Sequence, residues 1–202
     1  MASLSTVSFS TLVDPAYHIS QTNRLTFDQN NIRNTTISIQ SSPAYILKTT
    51  AGTLGTKTEL IDALTKQPIG SIERKELLPD VVKLKSVDNS KPIKLNKWLH
   101  KVKLPDGSTG TKVNISSQSQ FIWKTHTVHR LALYPESSDT FTACMEPATP
   151  SSSLALLIFP GAMQYADQII LSFLALEQEL RMSDNSMRNA NGMMVAFSNP
   201  LA

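Results

Sequence analysis

Cysteine is the scarcest residue type in this sequence: Cys144 stands alone among 202 residues. A single thiol excludes an intramolecular disulfide and any site built on several thiolates. The 7 glycines and 11 prolines follow no fixed period, which excludes collagen-like and glycine-linker architectures. With 41% hydrophobic and 17% charged residues, the chain is too apolar for a disordered protein, and we expect a single globular domain.

Long apolar runs are also missing. The longest, residues 154–159 and 169–176, fall short of the roughly 18 residues that span a bilayer. No Lys or Arg precedes Arg24, so we expect neither a secretory signal nor a mitochondrial presequence, and a cytoplasmic location. The expected organisation is an N-terminal extension over residues 1–23, a folded domain over 24–181 and a C-terminal tail over 182–202.

Short segments that alternate apolar and polar residues dominate the chain up to about residue 160. Such alternation is typical of strands with one buried face. Strands are predicted over residues 34–40, 45–50, 56–64, 68–74, 81–85, 111–116, 120–124, 128–134, 140–145 and 154–159. This many short strands favours a sandwich or a barrel. Residues 94–101 are predicted to form one or two helical turns instead.

One segment breaks the strand pattern. Residues 167–181 contain strong helix formers, no proline or glycine, and Asp167 as an N-cap. The apolar residues from Ile169 to Leu176 point in every direction around a helix axis, so the helix is predicted to be enclosed by protein. A β-barrel wrapped around it would do this. After Arg181 the asparagine-rich and serine-rich sequence predicts a loop or tail, and the apolar residues 193–197 are candidates for a return to the sheet.

Several short stretches across residues 24–181 carry a family resemblance through their order and spacing. They include Leu25-Thr26-Phe27, Ile69-Gly70-Ser71-Ile72-Glu73, Lys97-Trp98-Leu99, Phe121-Ile122-Trp123-Lys124 and Asp167-Gln168-Ile169-Ile170. In these stretches the chain resembles an uncharacterised domain family of basidiomycete fungi, grouped with the tubby C-terminal-like proteins and related to LURP-one proteins and phospholipid scramblases. The resemblance implies a mainly β fold: a closed antiparallel β-barrel of about twelve strands around a central hydrophobic C-terminal helix. Gly70 within a strand is expected to mark a bulge or a close backbone approach, against the central helix.

Basic residues are concentrated in one part of the chain. Of 19 Lys and Arg residues, nine lie between Glu73 and Lys103, a stretch with four acidic residues. Clustered positive charge attracts phosphates, although most charge runs are solvated faces. Tubby domains bind phosphoinositide headgroups through such residues, so the resemblance implies anionic membrane lipids as a peripheral partner. The candidate headgroup-binding residues are Arg74, Lys75, Lys83, Lys85, Lys94, Lys97, Lys101 and Lys103. Nucleic acid is disfavoured because Trp98 is the one aromatic residue in the stretch.

No motif for catalysis, metal or cofactor is recognised, and none of these is predicted. His126 and His129 form an H-x-x-H pair, but on a strand they would point to opposite sides. Gly52 to Lys57 has the wrong spacing for a phosphate-binding loop and is predicted to connect two strands. Cys144 is predicted to be a buried, inert thiol. Two alternatives to lipid binding stay open: an enzyme acting on a small apolar metabolite in a pocket between barrel and helix, and a protein-interaction or stress-response module.

Overall fold

The computed structural model describes residues 22–85, 91–115 and 120–197, with side chains up to residue 187. Nearly all of the predicted N-terminal extension and the last five residues of the predicted tail lie outside the described residues. Within them, the fold is mainly β, as expected. It has a single antiparallel sheet, a one-turn helix, a 3-10 helix over Pro160–Tyr165 and a long C-terminal helix.

The described residues form a sheet of 13 strands. In chain order the strands are β1 (Asn23–Phe27), β2 (Thr35–Ile39), β3 (Ser42–Gly52), β4 (Gly55–Asp62), β5 (Pro68–Lys75), β6 (Val81–Leu84), β7 (Ile93–Lys94), β8 (Leu99–Lys103), β9 (Thr109–Asn114), β10 (Gln120–His126), β11 (Arg130–Pro135), β12 (Ala143–Glu146) and β13 (Ala155–Ile158). Every predicted strand has a counterpart in this set. Strands β1, β7 and β8 were not predicted from the sequence pattern.

The sheet has two free edges, and the predicted closed barrel is not confirmed. Its strand order is β7-β6-β5-β4-β3-β2-β1-β13-β12-β11-β10-β9-β8, so β7 and β8 are the ends and do not pair with each other. Between them the chain makes one helical turn, α1 (Leu95–Trp98), whose Leu95 and Trp98 side chains are buried. A helical turn satisfies backbone groups locally and leaves no strand to bridge the edges. We call the segment β7, α1 and β8 the seam.

The C-terminal helix α2 (Ala166–Phe197) runs through the inside of the curved sheet. Residues 169–175 are at most 1% exposed. The helix touches strands far apart in the sheet order: Phe173 meets Phe27 of β1 with ring centroids 5.9 Å apart, and Trp123 of β10 donates a 3.0 Å hydrogen bond to Ser172. Protein therefore encloses the apolar helix on all sides, as predicted.

The helix extends further than the sequence pattern indicated. It continues past Arg181 to Phe197, so the loop predicted after Arg181 and the return of residues 193–197 to the sheet are wrong. Two interactions hold the first turn of this extension. Arg181 bonds Glu177 one turn earlier at 2.7 Å, and Arg130 reaches Asp184 at 2.7 Å. Polar residues without proline can continue a helix once its beginning is anchored by tertiary contacts.

Candidate functional site

The predicted headgroup-binding residues do not share one face. Gly70 and Ile72 of β5 face the helix, so strand alternation turns Glu73 and Lys75 outward and Arg74 inward. Lys83 bonds Glu73 and is therefore also on the outer surface. Lys85 follows β6 and lines a cavity near the beginning of α2. The other four candidates lie on the seam: Lys94, Lys97, Lys101 and Lys103.

Carboxylates engage four of the eight candidates. Lys83 and Lys75 both lie near Glu73, with N···O distances of 2.8 Å and 3.8 Å. The hydrogen bond from Lys83 holds the pKa of Glu73 below its usual range. Arg74 pairs with Asp80 at 2.9 Å, and Lys101 pairs with Glu179 at 3.1 Å. Among the described residues, the exposed side chains without an ion pair in this set are Lys85, Lys94, Lys97 and Lys103.

A cavity of about 410 Å³ opens where the seam meets the helix. Leu95, Leu99 and Leu176 give it apolar walls, and Arg74 lies on its other side. The guanidinium of Arg74 donates to the carbonyl oxygen of Ala175 at 2.7 Å and to Asp80 at 2.9 Å. Its Nε is buried and makes no hydrogen bond within the described part of the chain. The cavity is therefore lined partly by leucines and partly by charged side chains, which also include Lys101 and Glu179.

Three exposed leucines lie next to this cavity, and the sequence analysis did not identify them. Leu54, in the β3–β4 turn, is 67% exposed, whereas Leu77 and Leu78, between β5 and β6, are 88% and 62% exposed. We call these three residues the leucine tip. They line a groove of about 630 Å³ that also includes Arg74, so the groove and the seam cavity share a wall. The sequence did contain one signal for them: Leu54, Leu77 and Leu78 are large apolar residues that lie between predicted strands.

Comparison with known proteins places the chain in a family. A family described as a "Family of unknown function (DUF6593)" matches residues 30–182. The chain belongs to DUF6593. An X-ray structure of a protein from Arabidopsis thaliana is similar to it, with a TM-score of 0.52, 17% sequence identity, and coverage of 84% of this chain and 97% of that one. At this identity the likeness extends to the fold alone.

No curated protein matches the sequence. Neither the DUF6593 description nor the Arabidopsis structure names a function, and neither links the chain to the tubby C-terminal-like group. The described part of this DUF6593 member has no helix with the length and hydropathy needed to cross a membrane.

The two histidines lie closer together than strand geometry predicted. His126 ends β10 and His129 lies in the following turn, since β11 begins only at Arg130. Their rings stack with centroids 5.0 Å apart, so the prediction that they point to opposite sides is wrong. Nδ1 of His126 accepts the backbone N–H groups of Val128 and His129, both at 3.2 Å. The described residues contain no group of three or more His, Cys, Asp or Glu side chains suited to a metal ion.

The remaining sequence candidates have structural roles. Gly52 and Gly55 flank the β3–β4 turn, which confirms the predicted connection between strands. Cys144 is buried in β12, and burial raises the pKa of its thiol to about 12. A thiol with that pKa is almost entirely protonated at neutral pH and is a poor nucleophile. The prediction of a buried thiol is confirmed.

Both ends of the buried part of α2 hold carboxylates. At its beginning, the Tyr45 hydroxyl donates to Asp167 at 3.3 Å, and burial raises the pKa of Asp167. Eleven residues beyond the start of α2, Glu177 is 2% exposed and accepts from Arg130 at 3.0 Å and from Arg181 at 2.7 Å. These contacts hold both ends of the buried part of α2 against the sheet, through Tyr45 of β3 and Arg130 of β11.

Proposed function

We propose that this protein is a non-catalytic binding module for anionic phospholipid headgroups at a membrane surface. The observation that carries the proposal is a set of exposed cations on the seam that have no ion pair with any described residue, Lys94, Lys97 and Lys103, which we call the seam lysines. Cations that no carboxylate neutralises are free to attract phosphate groups. Each contributes about 1 kcal/mol near an anionic membrane.

We also propose that the chain is related to the tubby C-terminal-like proteins, as its sequence resemblance implies. In a tubby-like barrel the sheet surrounds a central helix. Here β7 and β8 do not pair, and the one-turn helix α1 would close the gap between them. Phosphoinositide binding by tubby domains supports assigning headgroup binding to a basic part of this surface. Association would be reversible and peripheral, at the cytoplasmic face of a membrane.

Vesicle co-sedimentation tests the headgroup proposal. The protein should sediment with phosphatidylcholine vesicles that contain a phosphoinositide, and less protein should bind as salt is added, because ions screen exposed charges. Reversing Lys94, Lys97 and Lys103 to Glu should reduce binding at least tenfold, given about 1 kcal/mol for each lost cation.

A matched control carries the same charge change at other places. Arg33, Lys48 and Lys66 are exposed residues outside the seam and outside the eight candidates, and their reversal to Glu should reduce binding less than the seam variant does. Equal losses in the two variants would show attraction by net charge and contradict a headgroup site on the seam. Failure of the unaltered protein to bind any vesicle would contradict the whole proposal and favour the protein-interaction alternative.

A second candidate function is supported by the seam cavity. Its volume of about 410 Å³ lies within the range of small-molecule sites, about 300–1,000 Å³. Leu95, Leu99 and Leu176 would contact the apolar part of a small molecule, and Lys101 and Glu179 would contact its polar groups. Native mass spectrometry of the purified protein should then show a bound small molecule. A Leu99→Trp substitution should remove it by filling the cavity, and an unliganded protein would argue against this function.

A further inference from the structure

We propose that the leucine tip enters the outer part of the bilayer when Lys94 and Lys97, the seam lysines at the same end of the sheet, bind anionic headgroups. This inference rests on the proposed function and adds an apolar contact to it. The surface consists of Leu54, Leu77 and Leu78, at 67%, 88% and 62% exposure. Single exposed leucines are common on proteins, but several large apolar side chains on adjacent loops form a patch of the kind that marks interaction sites.

The loops that carry the leucines are held in place. The backbone N–H of Glu76 donates to the carbonyl oxygen of Leu54 at 3.3 Å, which joins the β3–β4 turn to the β5–β6 loop. At the end of that loop, Asp80 accepts the backbone N–H of Lys75 at 2.9 Å and pairs with Arg74 at 2.9 Å. A surface that is already ordered loses less conformational entropy on binding than a flexible one.

Charge around the leucine tip favours an anionic membrane over an apolar protein surface. Lys57, Arg74 and Lys75 line the same groove as the leucines, and each of them pairs with a carboxylate, of Glu59, Asp80 and Glu73 respectively. Among the described residues, an unpaired cation beside the tip is Lys94, which lies opposite Val81 of β6, directly after the loop that carries Leu77 and Leu78. The backbone N–H of the next residue, Leu95, donates to the carbonyl oxygen of Asp80 at 2.8 Å and holds the seam against this loop. Cations beside an apolar tip match the layering of a membrane interface, where phosphates lie outside the acyl chains.

A fluorescent label on the tip tests insertion directly. In a Leu77→Cys variant, a polarity-sensitive thiol dye would react at position 77, because Cys144 is buried and its raised pKa keeps it protonated. With phosphatidylcholine vesicles containing a phosphoinositide, the emission should shift to the blue and be quenched by spin-labelled acyl chains. The matched control is Leu64→Cys: Leu64 is 90% exposed but lines the cavity at the start of α2, beside Asp167. Its label should not respond.

Vesicle affinity gives a second readout. A Leu77→Ser and Leu78→Ser double variant should bind the same vesicles at least tenfold more weakly, from the apolar area it no longer buries. A Leu64→Ser variant should bind like the unaltered protein. Because all three side chains are exposed, thermal unfolding should show that these variants keep the fold.

The possible failures are distinguishable. If the protein sediments with vesicles but the label at position 77 stays in water, insertion is wrong and headgroup binding stands. If the protein sediments with no vesicle, the proposed function fails and the insertion with it. A blue shift that grows with protein concentration without lipid would show a second copy covering the leucines and would overturn the inference.

Discussion

A β-carbon added to Gly70 would lie 2.6 Å from Cδ1 of Leu171 and 2.7 Å from the carbonyl oxygen of Lys83. At this point β5 lies against Leu171 of the central helix on one side and against the backbone of β6 on the other, so the close backbone approach expected of this glycine is confirmed. We predict that Gly70→Ala lowers the free energy of unfolding by about 1–3 kcal/mol, since the Lys83 backbone cannot move aside easily. Urea denaturation would measure the change.

Gly161→Ala is the control for this prediction, because an added β-carbon there meets nothing within 4 Å. Its unfolding midpoint should stay close to that of the unaltered protein. If the two alanine variants unfold at the same urea concentration, the tight contact of Gly70 with Lys83 and Leu171 is contradicted.

The buried hydrogen bond between helix and sheet gives a second prediction. Trp123 Nε1 donates to Ser172 Oγ at 3.0 Å, and Ser172 donates to the Ile169 carbonyl oxygen at 3.0 Å. Ser172→Ala would leave the indole N–H buried without an acceptor, at a cost of about 1–3 kcal/mol of unfolding free energy. Ser186→Ala removes a comparable bond to Met182 on an exposed turn of the same helix. It should change stability far less, and equal effects would contradict the buried bond.

Burial also distinguishes two glutamates on α2. Glu177→Gln would leave Arg130 and Arg181 without their buried partner, whereas Glu179→Gln removes an ion pair with Lys101 whose side chains are 70% and 50% exposed. We expect a loss of about 2 kcal/mol for Glu177→Gln, less than for a fully buried pair because the arginines are about one-third exposed. For Glu179→Gln we expect a change of at most about 0.5 kcal/mol. Chemical denaturation of both variants checks the contrast; a reversed order would contradict it.

The pH dependence of stability is predicted from two aspartates with opposite shifts. Burial raises the pKa of Asp167 in the folded state, so its stabilising contribution is fully present below the unfolded pKa of about 3.9 and is lost as pH rises through the folded pKa. Asn cannot titrate. The stability of Asp167→Asn relative to the unaltered protein should therefore increase between pH 4 and pH 7.

Asp62 should show the opposite trend. Hydrogen bonds from Thr65 lower the pKa of Asp62, so its contribution is present above the unfolded pKa and is lost as pH falls through the folded one. Relative to the unaltered protein, Asp62→Asn should become less stable as pH rises from 3 to 7. Urea unfolding of both variants over this range provides the comparison, and parallel curves for the two would contradict the assigned environments.

Local patterns were sufficient for most elements of the fold. Alternation located ten of the 13 strands, and the all-round apolar surface of the residues after Asp167 identified a helix enclosed by protein. Of the missed strands β1, β7 and β8, β7 has only two residues, and β7 and β8 lie in a stretch whose lysines obscure the alternation. The length of α2 was underestimated because the contacts of Arg130 with Glu177 and Asp184 join residues far apart in the chain.

The amino-acid sequence by itself determined which residues are apolar, where the backbone can turn, and that residues 169–176 must be covered by protein, because these depend on side-chain chemistry and on spacing within one element. The tertiary structure alone decided which cations are free. Arg74, Lys75 and Lys83 are close in sequence, yet strand alternation and the positions of Glu73 and Asp80 turn them to different faces and pair them. It also decided that Leu54 lies beside Leu77 and Leu78, because only the pairing of β4 with β5 brings those two loops together.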